Sequence, residues 1–172
     1  VFPIVFALCI SNTGINAELV NAGKEPTALI NLQMFRYVLI GGAGNTLGLV
    51  LLTCKSKSKH IRSIGRLSVL PGICGINEPV VFGLPLVLNP IFAIPFILNS
   101  VIAAFIAVVA TNIGFLTCGV LDCPPGLPVF VTGFISYGIH GIIVQAIILI
   151  VTFIIWVPFV LMSNKQAKLE QK

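Results

Sequence analysis

The sequence predicts an all-α membrane protein, and three observations predict it. The chain has 172 residues, of which 57% are hydrophobic and 9% charged, whereas soluble domains carry about 25% charged residues. The stretch from Leu67 to Met162 holds only two formal charges, Glu78 and Asp122. The basic residues are gathered rather than dispersed: Lys55, Lys57, Lys59, Arg62 and Arg66 form one cluster, and Lys165, Lys168 and Lys172 another, both beside apolar segments. Too few polar residues remain to cover a water-facing surface, which excludes a cytosolic enzyme and a disordered linker. The net charge of +5 does not mark a nucleic-acid binder, because no aromatic side chains interleave the basic clusters. Clusters flanking apolar segments are cytoplasmic under the positive-inside rule. The length suits about one domain.

Taken in order, Val1 to Ile10 is apolar and too short to span. It lacks a basic leader and a cleavage site, so it is not a signal peptide, and it is expected to be the end of a segment whose earlier part is absent. Residues 11–33 are polar and are expected to form a loop. Phe35 to Cys54 is apolar apart from Arg36 and, at about 20 residues, long enough to cross about 30 Å of hydrocarbon. Its interruption at Gly41-Gly42-Ala43-Gly44-Asn45-Thr46 weakens a helix, giving a broken or closely packed one. Residues 55–66 form a basic cytoplasmic connector, in part an interfacial helix.

Between Pro71 and Pro95 lie five prolines and Gly72, Gly75 and Gly83. Proline removes a backbone donor and clashes with the preceding turn. A lipid-facing helix with that many breaks would leave amides unpaired in hydrocarbon. Residues 67–95 are therefore expected to form a re-entrant hairpin with its tip near Asn77-Glu78-Pro79. Phe96 to Phe115 is a full span, 117–137 a loop or second partial insertion, Ile142 to Met162 a clean span, and 163–172 a cytoplasmic tail. Charge supports this arrangement: two crossings between the connector and the tail return the chain to one side only if 67–95 does not cross.

Glu78 is the leading candidate for chemistry. A carboxylate at membrane depth costs several kcal/mol unless paired or hydrated, and the apolar stretch around it holds no cation. Backbone amides at the hairpin tip, a distant side chain or a polar ligand must satisfy it; as a structural acid it would cap a half-helix N-terminus. The Asn77 and Asn89 amides both donate and accept, which suits sugar hydroxyls and equally suits tying the hairpin backbone together. His140 is a satisfied interfacial histidine or a relay group. The glycine run at 41–45 lacks the Gly-Lys-Ser/Thr ending of a phosphate loop, leaving close packing or a substrate-facing backbone. The five cysteines include no C-x-x-C and, with two distant histidines, form no metal set; Cys118 and Cys123 could pair in an extracytoplasmic loop. No nucleophile, base and orienter set for hydrolysis is present.

The run Pro71-Gly72-Ile73-Cys74-Gly75-Ile76-Asn77-Glu78-Pro79-Val80-Val81-Phe82-Gly83-Leu84-Pro85, continuing to Asn89-Pro90, resembles the membrane subunit IIC of the bacterial phosphoenolpyruvate-dependent sugar phosphotransferase system, in its lactose/cellobiose/diacetylchitobiose branch. Gly41 to Gly48, the Lys-Ser-Lys connector and the last span running into Pro158-Phe159 also resemble that branch. The likeness covers nearly the whole chain and corresponds to the C-terminal, substrate-binding part of the subunit.

The resemblance implies a multi-pass protein of the bacterial cell membrane that binds a disaccharide and carries it inward. The sugar 6-hydroxyl then receives a phosphoryl group from a phosphocysteine on the cytoplasmic IIB partner. It implies Glu78 as the catalytic residue on a re-entrant hairpin, with Asn77, Glu78, Gly42 and Asn45 as substrate-binding residues. It implies a homodimeric full-length parent, no cofactor, no metal and no nucleic acid. Two departures stand out. The family's sugar-site histidine belongs to a segment before Val1 and is not His140, and the tryptophan frequent near the start of the last span is replaced by Tyr137-Gly138-Ile139-His140. The competing readings are a cation-coupled secondary transporter with Glu78 as the ion or proton site, and a non-catalytic membrane assembly component.

Overall fold

A computed structural model describes residues 2–86, 88–120 and 123–169, the side chains of Phe2 and of 166–169 excepted. Asp122 and Lys172 lie outside the described residues. The described residues form seven helices and no strand: α1 (Phe2–Asn21), α2 (Leu32–Tyr37), α3 (Leu47–Thr53), α4 (Lys59–Ile73), α5 (Glu78–Gly83), α6 (Pro90–Asn112) and α7 (Val129–Leu169). Three stretches, Pro3–Asn21, Pro90–Asn112 and Val129–Lys165, are long and apolar enough to cross a bilayer. Their outer faces fit that solvent. Ile139, Ile143, Ile147, Ile150 and Ile154 are all exposed at three- or four-residue spacing, a single apolar stripe along α7.

The first span corrects the expectation of a cut end followed by a polar loop. The helix runs on through Ser11 to Asn21 because its polar side chains have partners. The Thr13 hydroxyl donates to Cys9 O at 2.8 Å. The Asn12 amide donates to Ile30 O, and the Asn16 amide donates to Ala28 O and to Gly119 O. Asn31 caps α2 by accepting from Met34 N at 2.8 Å. Polar residues that read as loop are thus the face that binds the returning chain.

Residues 35–54 do not form one span. They divide into α2, a glycine-rich turn and α3, with positive φ at Gly41, Gly42, Gly44 and Asn45. That sequence of left-handed residues cannot continue a right-handed helix. Short α3 is wedged between two helices through small residues. A Cβ on Gly48 would lie 3.0 Å from Phe153 Cα of α7, and one on Gly65 of α4 would lie 2.6 Å from Thr53 Oγ1. Such contacts hold helix backbones close together in a membrane protein.

Downstream, α4 begins in the basic connector and carries Pro71 without ending there. The chain reverses over 74–77, and Gly83 of α5 packs on Ile64 of α4. The arms of this reversal are α4 and the short α5, so it starts earlier than residue 67, and the second arm ends at Gly83. α6 starts at Pro90 rather than at Phe96, with Asn89 capping it by accepting from Ile91 N. α7 consists of two helical pieces joined at Gly138, whose φ of 63° and ψ of −146° suit only glycine. The 129–137 arm folds back so that Gly133 meets Gly141. This arm is the helical part of the region expected to be a loop or partial insertion.

Two apolar clusters hold these pieces. One joins Tyr37 and Ile40 to Ala103, Ala107, Val144 and Ile148. The other gathers Leu49, Val50, Val80, Leu86 and Phe92 around Trp156. The glycine-rich turn passes between them.

Candidate functional site

Broken backbone exposes carbonyls and amides that a helix would consume, and here two breaks face one another. The Asn77 amide at the α4–α5 reversal donates to Ala43 O in the glycine-rich turn at 2.8 Å. The approach requires glycine at 42: φ is +84°, and a Cβ would sit 2.7 Å from Asn77 Cγ. Beside this junction opens a cleft of about 250 Å³. Its near wall holds Arg36, Tyr37, Gly42, Ala43, Gly75 and Asn77, and its far wall holds Cys123, Pro124, Pro125, Gly126, Thr132 and Gln145.

The walls are tied together across the sequence. Arg36 donates to Cys123 O at 3.0 Å, the Tyr37 hydroxyl to Gly141 O at 2.7 Å, and the Gln33 amide to Ser136 O at 2.7 Å. The Gln33 and Arg36 bonds fix the 129–137 arm and the loop before it against α2, and the Tyr37 bond fixes the start of the long piece of α7. Cys118 and Cys123 are free thiols; burial pushes the Cys118 thiol up, which keeps it protonated and inert. No metal-ligand group of His, Cys, Asp and Glu occurs among the described residues.

The expected site residues fall in three places. Gly42 and Asn77 line the cleft together. Glu78 is the next residue, exposed at the first position of α5. Its carboxylate has no hydrogen-bond partner among the described residues and does not line the cleft. The α5 N-terminus has no side-chain cap, so Glu78 is not a bonded capping acid. Asn45, by contrast, is fully buried. Its amide oxygen accepts from Ile40 N at 2.8 Å, its amide nitrogen faces Asn99 O at 3.4 Å, and its carbonyl accepts from Trp156 Nε1 at 3.1 Å. Asn45 shapes the turn and does not reach the cleft. His140 is exposed, edge-on to the Phe115 ring at 4.8 Å, and Asn89 is a helix cap.

Two residues absent from the sequence-based expectations matter here. Gln145 is 2% exposed, donates to Tyr37 O at 3.2 Å, and its Oε1 has no hydrogen-bond partner among the described residues. A lone amide in an apolar span was its signal. Trp156, near the end of a span and suggestive of a membrane interface, is instead fully buried and braces the turn.

Helices that break in pairs around a polar cleft, among apolar spans, define a membrane protein able to hold a polar ligand within its helical body. The sequence profile of the phosphotransferase system EIIC family matches residues 1–100, and the chain belongs to that family. It is 42% identical over 137 residues to the cellobiose-specific EIIC component of Lactococcus lactis, covering 78% of this chain and 28% of that protein. It is 34% identical over 175 residues to the lactose-specific EIICB component of Streptococcus mutans, covering 98% and 30%. The crystal structure of the transporter ChbC, the IIC component of the N,N'-diacetylchitobiose-specific phosphotransferase system, superposes with a TM-score of 0.85 at 32% identity. It covers 94% of this chain and 38% of that one. The chain thus spans about a third of the length of these relatives.

Proposed function

We propose that this chain supplies the sugar-binding part of a permease that imports a disaccharide of the cellobiose, lactose or chitobiose type for phosphorylation. The observation that carries the reading is the Asn77–Ala43 bond, which closes two broken segments beside a polar cleft at the Asn-Glu-Pro motif. The family membership and the sugars for which the relatives are named agree with it. The α4–α5 reversal is read as re-entrant, with its turn at membrane depth.

In this reading Asn77 and the backbone at Gly42 present hydrogen-bonding groups to sugar hydroxyls. Asn45 acts from behind, by holding the turn. Glu78, without a side-chain partner among the described residues, accepts a charge-assisted hydrogen bond from the sugar. When the 6-hydroxyl oxygen attacks the phosphorus of a phosphocysteine on the IIB partner, the S–P bond breaks, the thiolate leaves and Glu78 takes the hydroxyl proton. The name of the fused EIICB relative supports such a partner. The full-length transporter is read as a homodimer.

The test is uptake of labelled cellobiose into vesicles holding the full-length transporter. Wild type should yield sugar phosphate only with phosphoenolpyruvate and the soluble phosphotransfer proteins, and Glu78→Gln should abolish the product with little loss of expression. Uptake of unmodified sugar driven by an ion gradient, or wild-type phosphorylation by Glu78→Gln, would overturn the reading.

A further inference from the structure

The outer face of α4 divides along its length. Lys59, Ser63 and Arg66 are exposed and Arg62 is half-buried, whereas Leu67 and Leu70 beyond them are each 74% exposed and Ile73 is 38% exposed. The opposite face, Gly65, Ser68 and Gly72, is buried against the rest of the molecule. A basic half of about 10 Å is thus followed by an apolar half of similar length. Lys55 and Lys57, both exposed, extend the basic half into the connector.

This charge is unanswered locally. The sequence holds no acid between Glu25 and Glu78, and none of the side chains of Lys55, Lys57, Lys59, Arg62 and Arg66 has a hydrogen-bond or ion-pair partner among the described residues. An acidic soluble protein would complement the basic half but would leave Leu67 and Leu70 against water. An amphiphile with an anionic head and an aliphatic body complements both halves at once. Basic residues at the headgroup layer attract acidic lipid at about 1 kcal/mol each, and guanidinium groups pair with phosphate in a bidentate fork.

We propose that the outer face of α4 is a binding site for an anionic phospholipid, with Arg62 and Arg66 on its phosphate and Leu67 and Leu70 along its acyl chain. The site is separate from the cleft and does not rest on the transport reading.

The test compares phosphatidylglycerol and phosphatidylcholine of identical acyl chains, added to the purified protein in neutral detergent and counted by native mass spectrometry. Wild type should retain phosphatidylglycerol in preference by roughly tenfold or more. Arg62→Gln/Arg66→Gln should lose the preference while melting as wild type does in neutral detergent. Should that pair fail to fold, Lys55→Gln/Lys57→Gln should weaken the preference instead. Equal retention of both lipids by wild type, or an undiminished preference in the folded variants, would overturn the proposal. So would displacement of the lipid by an equal concentration of glycerol 3-phosphate, which carries the charge without the chain.

Discussion

A methyl group at Gly42 would have its centre 2.7 Å from Asn77 Cγ, whereas at Gly75, with nearly the same φ, it would meet nothing within 4 Å. The pair separates backbone strain from contact. Both alanine variants carry about 1–2 kcal/mol for a left-handed L-residue. Gly42→Ala must in addition displace the Asn77 amide from Ala43 O, a further 1 kcal/mol or so. Thermal unfolding in detergent should rank Gly42→Ala below Gly75→Ala, and Gly42→Ala should weaken sugar binding the more. Equal losses in stability and binding would show that the junction does not shape the cleft. At this scale the sequence pointed to Gly42 and Asn77 through its motifs, because both roles follow from local chemistry. It misplaced Asn45, whose amide is engaged by Ile40 N and whose carbonyl is bonded by Trp156 from 111 positions away. A residue type suited to a ligand is equally suited to a strut, and only the fold decides between them.

At the level of elements, glycine and proline marked the breaks unevenly. The glycine run broke the 35–54 segment as expected, since four positive-φ residues within 41–45 leave no helical route. Pro71, Pro95 and Pro158 instead lie inside helices, where a missing donor is tolerated if neighbouring groups cover it. The polar stretch at 11–21 was illegible because its hydrogen bonds reach Ile30, Ala28 and Gly119, contacts that no local pattern reports. Gly138 carries the most consequential break. Its backbone turns the 129–137 arm onto the long helix, and that arm holds Cys123, whose sulfur lies 3.4 Å from Ser136 Oγ. Gly138→Ala should cost roughly 1–3 kcal/mol and release the arm. Cys123, 3% exposed in the native protein, should then become alkylated by N-ethylmaleimide, localised by peptide mass spectrometry. A variant that melts as wild type with Cys123 still protected would show that the kink is not needed to dock the arm.

For the molecule as a whole, one short bond supports what charge counting suggests. The Ser56 hydroxyl donates to Asn164 Oδ1 at 2.7 Å, so the basic connector and the far end of α7 share one end of the protein. No such bond could span about 30 Å of hydrocarbon. Between these points lie α6 and the long piece of α7, both long and apolar enough to cross; two crossings would return the chain to its starting side. The α4–α5 reversal, with Gly83 against Ile64, adds none if it is re-entrant as proposed. The side follows from the cations. The positive-inside rule, applied to Lys55, Lys57, Lys59, Arg62 and Arg66 at one point and Lys165 at the other, predicts that the shared end is cytoplasmic. Cysteines introduced singly as Ser58→Cys and Lys165→Cys, in a background with the native cysteines replaced by alanine, should therefore behave alike. Both should react with a membrane-impermeant maleimide in inverted vesicles and neither in intact cells. Labelling of the two positions from opposite sides would break the two-crossing arrangement itself. Labelling of both from outside would keep the arrangement and reverse its orientation.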